Sequence, residues 1–302
     1  MTSVSFIIPV YNKSVYLKNV ISSLKNQSGN FKREFIFIDD GSTDNSLDIL
    51  KKETQELPSV KIIKQKNSGS AHATNQGIKI SKMKYIKFLD ADDIILSDST
   101  NSLMNILEKN KSFVLSYGLQ RKVTDLKLVN IFEKFNQNNY SRINNGIYLA
   151  MRNSMFNPSQ CLVRTQLCKK VGGCDERIKF SQEYSLTLKL SILGPFARLN
   201  FPTAILPYEA PGQISENKYK QIFRVSKALE LFISDNPSLD IKHRLFAQRR
   251  LTARAWRFAR RHKKAGFNSK WFGLYLRGLF RFKKDLIKNC EEANKIYEEF
   301  IC

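Results

Sequence analysis

Through its first 95 residues the chain alternates four short β-rich apolar runs with three stretches at helical spacing, polar or acidic residues marking the passage from run to helix. Val4 to Val10 is the first run, with Pro9 ending it or marking an exposed end, and Leu17, Val20, Ile21 and Leu24 follow behind Asn12-Lys13-Ser14. Glu34 to Asp39 is the second and ends in Asp39-Asp40-Gly41-Ser42, where Asp44 is placed to cap a helix carrying Leu47, Ile49 and Leu50. Val60 to Lys64 is the third. It enters the small-residue stretch Asn67-Ser68-Gly69-Ser70-Ala71-His72-Ala73, which opens a helix through Ile80. Tyr85 to Leu89 is the fourth. Such alternation predicts an α/β fold, a Rossmann-like, mostly parallel twisted sheet with right-handed crossovers and flanking helices. Parallel strands place Tyr11-Asn12, Asp39-Asp40 and Asp90-Ala91-Asp92 on one sheet edge, where α/β sheets bind their ligands.

The fourth run ends abruptly in Phe88-Leu89-Asp90-Ala91-Asp92-Asp93. Crowded carboxylates repel one another unless a cation lies between them. Hard oxygen ligands favour Mg²⁺ or Mn²⁺, and Mg²⁺ is typically shared between one or two carboxylates and substrate phosphates. A solvated acidic turn, with Asp93 or Ser97 capping the next helix, is the other reading, and the stretch alone does not choose. The sequence has no Gly-x-Gly-x-x-Gly after the first run and no Gly-x-x-x-x-Gly-Lys-Ser/Thr. Phosphates therefore fall to a metal and loop amides rather than to a glycine cradle.

The second half is less regular. Leu103, Ile106 and Leu107 belong to a helix, Ser112 to Tyr117 reads as a strand, and the asparagine-rich stretch from Lys122 to Asn145 reads as loop or edge strand. Gly172-Gly173 is a turn, and Ser181 precedes a helix whose Tyr184, Leu188 and Ile192 share one face before Gly194-Pro195. From Ser215 onward the pattern is mostly helical. At 302 residues and 42% hydrophobic content the chain has material for one large domain with an appendage, or for two modest domains. Its start lacks the plan of a signal peptide, and no apolar run approaches the roughly 20 residues that span a bilayer. The five cysteines show no metal-ligand spacing, which points to free thiols in a reducing cytosol.

Four ordered motifs carry a family resemblance: Ser5-Phe-Ile-Ile-Pro-Val-Tyr-Asn12, Ile38-Asp-Asp-Gly-Ser-Thr-Asp44, Asn67-Ser-Gly-Ser-Ala-His-Ala-Thr-Asn75 and Phe88-Leu-Asp-Ala-Asp-Asp93. Together they resemble the family 2 glycosyltransferases of the GT-A fold, and Gly172-Gly-Cys-Asp-Glu176 through Leu190 extends the likeness to about position 210. The resemblance implies a nucleotide-sugar donor, UDP-linked by expectation, a divalent metal (Mg²⁺ or Mn²⁺) and direct inverting transfer to a glycan or lipid-linked acceptor. It implies that Pro9, Tyr11 and Asp40 hold base and ribose, that Asn67 and Gly69 border the donor site, and that Asp90 and Asp92 form the Asp-x-Asp pair, with Asp92 the metal ligand. Family members usually carry Glu-Asp at the start of the helix after the Gly-Gly turn, the Asp being the base. Here the pair is Gln182-Glu183, so Glu183 takes that position. A first-turn carboxylate behind a Ser181 cap is also held as the anion by the helix dipole. In Tyr208-Glu-Ala-Pro-Gly-Gln-Ile-Ser215 the arginine and histidine frequent in the family are missing, leaving Ser215 as a candidate phosphate contact.

The implied organisation is a GT-A domain over 1–210, with a nucleotide-binding half (1–95) and an acceptor half (96–210), and a helical basic region over 211–302. Formal net charge is +23, and from Lys242 to Lys288 there are sixteen lysines and arginines against one acid, Asp285. That implies a polyanionic partner: nucleic acid, an anionic membrane or a phosphorylated acceptor. An anionic membrane surface is the first expectation, through an amphipathic helix from Arg249 to Lys264 and the aromatic stretch from Trp271 to Phe282. The alternative is a helical cap packing Trp256, Trp271 and Phe280 on the catalytic domain. Nucleic acid is disfavoured, having charge as its only support. The expected setting is cytoplasmic, peripheral to the inner face of the membrane. A binding protein that keeps the nucleotide site without turnover is the rival from another class.

Overall fold

The computed structural model describes residues 1–126, 129–133, 136–178, 182–208, 218–280 and 285–298. Its first part alternates as the apolar runs dictate: β1 (Ser3–Val10), α1 (Ser14–Lys25), β2 (Lys32–Asp39), α2 (Ser46–Glu53), β3 (Val60–Lys64), α3 (Ser70–Ile80) and β4 (Tyr85–Phe88). The strands pair in parallel in the order β3-β2-β1-β4, with Phe6 beside Phe35 on one side and Lys87 on the other. Apolar residues on both faces of β1 and β2 are buried, as a sheet covered on both sides requires. The Phe6 and Phe35 rings stack with centroids 5.0 Å apart. Helix α3 lies so close to β1 that a Cβ at Gly77 would come 2.3 Å from Ile7 Cγ2.

Beyond β4 follow β5 (Ile94–Ile95), α4 (Ser99–Lys109), β6 (Leu115–Val123), β7 (Tyr140–Ile143), α5 (Gly146–Arg152), β8 (Cys161–Arg164), α6 (Thr165–Lys170), α7 (Gln182–Ser191) and β9 (Phe196–Pro207). The sheet continues β4-β8-β6-β9-β5, with β7 on β9. Here the parallel rule gives way. β8 runs antiparallel to both β4 and β6, while β6 and β9 are parallel. The strand expected at Ser112–Tyr117 lies later. Its second half alternates half-buried and exposed residues through Gln120, Arg121 and Lys122, whose polarity disguised it. The stretch from Lys122 to Asn145 supplies the end of β6 and, in Tyr140–Ile143, the short strand β7.

The carboxyl-terminal part comprises α8 (Lys218–Asp235), α9 (Ile241–Lys263), α10 (Lys270–Leu279) and α11 (Leu286–Glu298). These helices close a second core around Leu229, Leu251, Trp256, Trp271 and Tyr297, which takes in Ile147 and Met151 of α5 and Tyr184 and Leu188 of α7. The helix expected from Arg249 starts eight residues earlier, at Ile241, where Asp240 Oδ1 accepts the Lys242 N–H at 2.9 Å. Trp256 and Trp271 are buried as a cap requires, but Phe280, just past α10, is 68% exposed. Ile192 also departs from expectation. It is 42% exposed because α7 ends at Ser191, before the helix brings it round to the face of Tyr184 and Leu188. No described helix is long and apolar enough to cross a membrane.

Candidate active site

The ends of β1, β2 and β4 meet on one edge, and side chains lock their loops together. Asn12 follows β1 in a left-handed conformation (φ 52°) that asparagine tolerates. Its Oδ1 accepts the Thr43 N–H at 2.8 Å, and its own N–H donates to Ser42 Oγ at 3.1 Å. Asp44 serves two helix starts at once, accepting the N–H of Ser14 at 3.1 Å and of Ser46 at 3.0 Å. Asp39 is fully buried and accepts the Ser42 N–H at 3.3 Å, bracing the turn after β2.

Asp40 organises the third loop. Its Oδ1 accepts from Gln65 Nε2 at 2.7 Å and the Ser68 N–H at 2.8 Å, and Oδ2 accepts the Gly69 N–H at 2.9 Å. Two glycines make this approach feasible. Gly41 (φ 77°) leaves no Cβ to strike Asn67 N, which would lie 2.9 Å away, and Gly69 (φ 93°) turns the chain into α3. Tyr11, the residue after β1, is 47% exposed.

At the end of β4 the acidic cluster is bound into the fold on one side and open on the other. Lys87, fully buried in β4, donates to the Ser159 carbonyl. The Ser159 hydroxyl accepts the Asp90 N–H at 3.0 Å and donates to Asp93 Oδ2 at 2.5 Å. Asp92 Oδ2 lies 2.6 Å from Lys13 Nζ. Burial, then the neighbouring Asp92 and Glu183 charges, push the Asp90 carboxyl up to about 8, and Asp93 is raised by burial and by Asp90 and Asp92. Burial brings Lys87 down to about 8.

Glu183 stands in the first turn of α7 and shares a narrow, largely apolar cavity with Pro9, Leu89 and Asp90. Its carboxylate accepts from its own N–H and that of Tyr184, and the Ser154 hydroxyl is within hydrogen-bonding reach. These contacts favour the anion, yet burial outweighs them and pushes Glu183 up to about 7. The helix-start argument, which keeps such a carboxylate low, is thus overridden by desolvation.

Whether the donor set suits a divalent cation is decided by its chemistry. The carboxylates of Asp90 and Asp92 are hard oxygen ligands, and their mutual repulsion with Asp93 favours positive charge, which Lys13 now supplies in part. Among the described residues no three histidine, cysteine or acidic side chains group as a full metal cage. One or two carboxylates, with diphosphate oxygens completing the shell, is the arrangement Mg²⁺ accepts. The residues fit.

Residues 5–171 match the sequence profile of Glycosyl transferase family 2. The chain belongs to that family. Over 197 residues it is 30% identical to the chondroitin synthase of Escherichia coli, a match that covers 65% of this chain and 28% of that longer protein. The S. aureus TarS 1-349 structure in complex with UDP-GlcNAc shares the fold with a TM-score of 0.66 at 16% identity, over 99% of this chain and 92% of that one. The mannosyltransferase PcManGT from Pyrobaculum calidifontis, in complex with GDP-Man and Mn²⁺, does so with a TM-score of 0.59 at 14% identity, over 99% and 88%. The GT-A architecture expected from the motifs is therefore the architecture of this chain.

For a family 2 chain, the fold gathers the sequence-derived site residues along one edge. Pro9, Tyr11 and Asp40 lie at the ends of β1 and β2, Asn67 and Gly69 in the loop Asp40 holds, Asp90 and Asp92 after β4, and Glu183 across the cavity from Asp90. Asp40 spends hydrogen-bonding capacity on its own loop, so any ligand contact shares that carboxylate. Ser215 and the Ser181 cap lie outside the described residues. Sequence reasoning passed over three groups. Lys13 was read only as part of a helix start, although a lysine just past β1 lies on the same edge as Asp92. Ser159 and Ser154 carry no signal in the sequence, since only the fold brings them to the acidic cluster and to Glu183.

Proposed function

We propose that this chain is an inverting glycosyltransferase that moves a hexose or N-acetylhexosamine from a nucleotide-sugar donor of the UDP class to a glycan or lipid-linked acceptor. The observation that carries the reading is the placement of Glu183 and Asp90 in one cavity, beside Asp92 at the strand end. Tyr11 is exposed for stacking on the base, with Pro9 half-buried two residues before it, and Asp40 is placed to accept from a base N–H or ribose hydroxyl while fixing the loop of Asn67 and Gly69. Asp92, with Asp90, would hold Mg²⁺ or Mn²⁺; when bound, the ion neutralises charge on the departing nucleoside diphosphate. In the transfer, the acceptor oxygen bonds to the anomeric carbon as the bond from that carbon to the diphosphate oxygen breaks. The acceptor's proton passes to Glu183, which burial at about 7 leaves able to take it near neutral pH.

Support for a nucleotide-sugar donor comes from the TarS relative bound to UDP-GlcNAc, and for a metal from the mannosyltransferase with Mn²⁺. The chondroitin synthase relative supports a polysaccharide product. We read 1–95 as the donor half, 96–210 as the acceptor half and 211–302 as the cap. The inferred setting is cytoplasmic, near the inner face of the membrane. The test is melting temperature with Mn²⁺ against a panel of nucleotides and nucleotide sugars, for wild type and Asp92→Ala. A ligand at 100 times its Kd stabilises the folded state by about 2.7 kcal/mol. A metal-dependent rise with one nucleotide class, lost in Asp92→Ala, is expected. No rise with any of them rejects the donor site.

A further inference from the structure

The second helix of the basic region, α9, carries an arrangement that neither its fold nor the transfer chemistry uses. Arg250, Arg254, Arg257 and Arg261 recur along α9 at intervals of four, three and four residues, which puts them on one helix face. The row is about 16 Å long at 1.5 Å per residue. At one end it touches the active-site wall: Arg250 donates to the Arg152 carbonyl and, at 3.0 Å, to Asn153 Oδ1. The next residue, Ser154, is the one whose hydroxyl reaches Glu183. Farther along, Arg254 donates to Ser226 Oγ of α8 at 2.8 Å. Arg254, Arg257, Arg260 and Arg261 then line an open groove together with Ile222 of α8 and Phe258.

Three features separate this row from an ordinary solvated basic face. Among the described residues no carboxylate pairs with Arg254, Arg257, Arg260 or Arg261, so like charges face one another without a counter-ion. The helix carries seven arginines and two lysines. Solubility requires no such bias, whereas the planar guanidinium fork matches phosphate and carboxylate oxygens in pairs. The apolar face expected of α9, made of Leu251, Ala255, Phe258 and Ala259, is turned into the core and is not offered to a bilayer. The apolar face of α9 is thus spent on the helical cap that the sequence offered beside the lipid-surface reading.

We propose that the arginine face of α9 is a binding track for an anionic acceptor glycan, one bearing phosphate or carboxylate groups along its length, and that it leads the reactive end of that chain to Glu183. The proposal rests on reading the chain as a transferase. A concave row of guanidinium groups ending at the base-side wall suits one extended polyanion, held by successive charge-assisted bonds.

The test uses the full chain and four probes at low salt: inorganic polyphosphate, hyaluronan oligosaccharide, neutral dextran oligosaccharide, and vesicles containing phosphatidylglycerol. The variant Arg257→Gln/Arg261→Gln changes two exposed side chains, and Lys51→Gln/Lys52→Gln on α2 serves as a charge-matched control. Binding of polyphosphate, hyaluronan or both is expected in wild type and in the lysine control, weakened about tenfold or more in the arginine variant. Which polymer binds tells phosphate from carboxylate acceptors, and dextran is expected not to bind. Melting temperature and UDP affinity with Mn²⁺ should be the same in all three proteins. Equal weakening in both variants would reduce the effect to net charge and overturn the track. Arginine-dependent binding of vesicles without arginine-dependent binding of either polymer would overturn it in favour of a membrane surface. Failure of UDP to bind wild type would reject the transferase reading separately, while the polymer result still decides whether the arginine face takes a polyanion.

Discussion

Replacing Glu183 by glutamine keeps the size of the side chain and its place in the first turn of α7 but removes the proton acceptor. Burial sets the carboxyl at about 7, against an ordinary value of 4.5. If this group is the base, wild-type turnover should climb with pH and level off above 7. At pH 5.5 a base titrating at 7 is ionised to about 3%, so the rate should lie about thirtyfold below its plateau, whereas an unperturbed glutamate would already be within about a tenth of it. Glu183→Gln should lose about 10² to 10⁴ of the plateau rate and flatten the pH dependence. The assay is release of UDP from the stabilising nucleotide sugar, at saturating Mn²⁺, from pH 5 to 9. Asp90→Asn is run alongside, because burial and the Asp92 and Glu183 charges raise the Asp90 carboxyl as well.

The same shift makes a stability prediction of definite sign. The folded-state value lies above the unfolded one, so the native protein holds the extra proton between about pH 4.5 and 7. The associated stability is complete below pH 4.5 and is lost as pH rises through 7. A shift of that size is worth about 3 kcal/mol at full burial. Glu183 keeps partial access to solvent, so about 1–2 kcal/mol is expected after screening. Glu183→Gln should therefore melt a few degrees higher than wild type at pH 8, roughly 2–5 °C, and no higher at pH 4.5. A wild-type rate that stays flat to pH 5, or a Glu183→Gln enzyme within tenfold of wild type with the same profile, would refute the assignment.

Other outcomes follow from single contacts. Lys13→Met removes the cation 2.6 Å from Asp92 and should tighten Mn²⁺ binding in the absence of nucleotide by on the order of tenfold, as read by titration calorimetry. Unchanged Mn²⁺ affinity would mean that the ion does not use Asp92. Asp40→Asn exchanges one acceptor oxygen for a donor facing the amides of Ser68 and Gly69 or the Gln65 side chain. UDP affinity should fall about tenfold or more and amide exchange in the loop of residues 67–69 should quicken, since a charged hydrogen bond is worth about 1.5–3 kcal/mol. Gly77→Ala drives a methyl group to 2.3 Å from Ile7 Cγ2 in the central strand, and should cost about 1–3 kcal/mol in denaturant unfolding without touching the site.

Much of this molecule is local and therefore legible. Strand–helix alternation over the first four runs, with no long linkers between them, leaves a parallel sheet as the one economical packing, and the order β3-β2-β1-β4 follows it. The residues at the strand ends share an edge because parallel strands point the same way, so Tyr11, Asp40, Asp90 and Asp92 could be nominated before any contact was known. Local pattern failed where a long-range partner decided the outcome. β8 joins the sheet antiparallel between β4 and β6, a choice made by two neighbours rather than by its four residues. The basic segment was legible as charge, but which of its side chains would form one row, and that the row would end at Asn153, depended on how α9 packs against α5 and α8.

Ionisation is the property least accessible from sequence. The family resemblance at the helix after the Gly-Gly turn nominated Glu183, and the helix start argued for a readily formed anion. The tertiary structure reversed that argument by burying the carboxylate beside Leu89 and Asp90, residues more than ninety positions away. The Lys13–Asp92 pair likewise spans 79 positions, and the Ser159–Asp93 bond spans 66. Which residue types stand at the sheet edge is a matter of chain order and strand direction, both written in the sequence. Proton affinity depends on how much water and which charges surround a group, and these are set only when distant segments close over it.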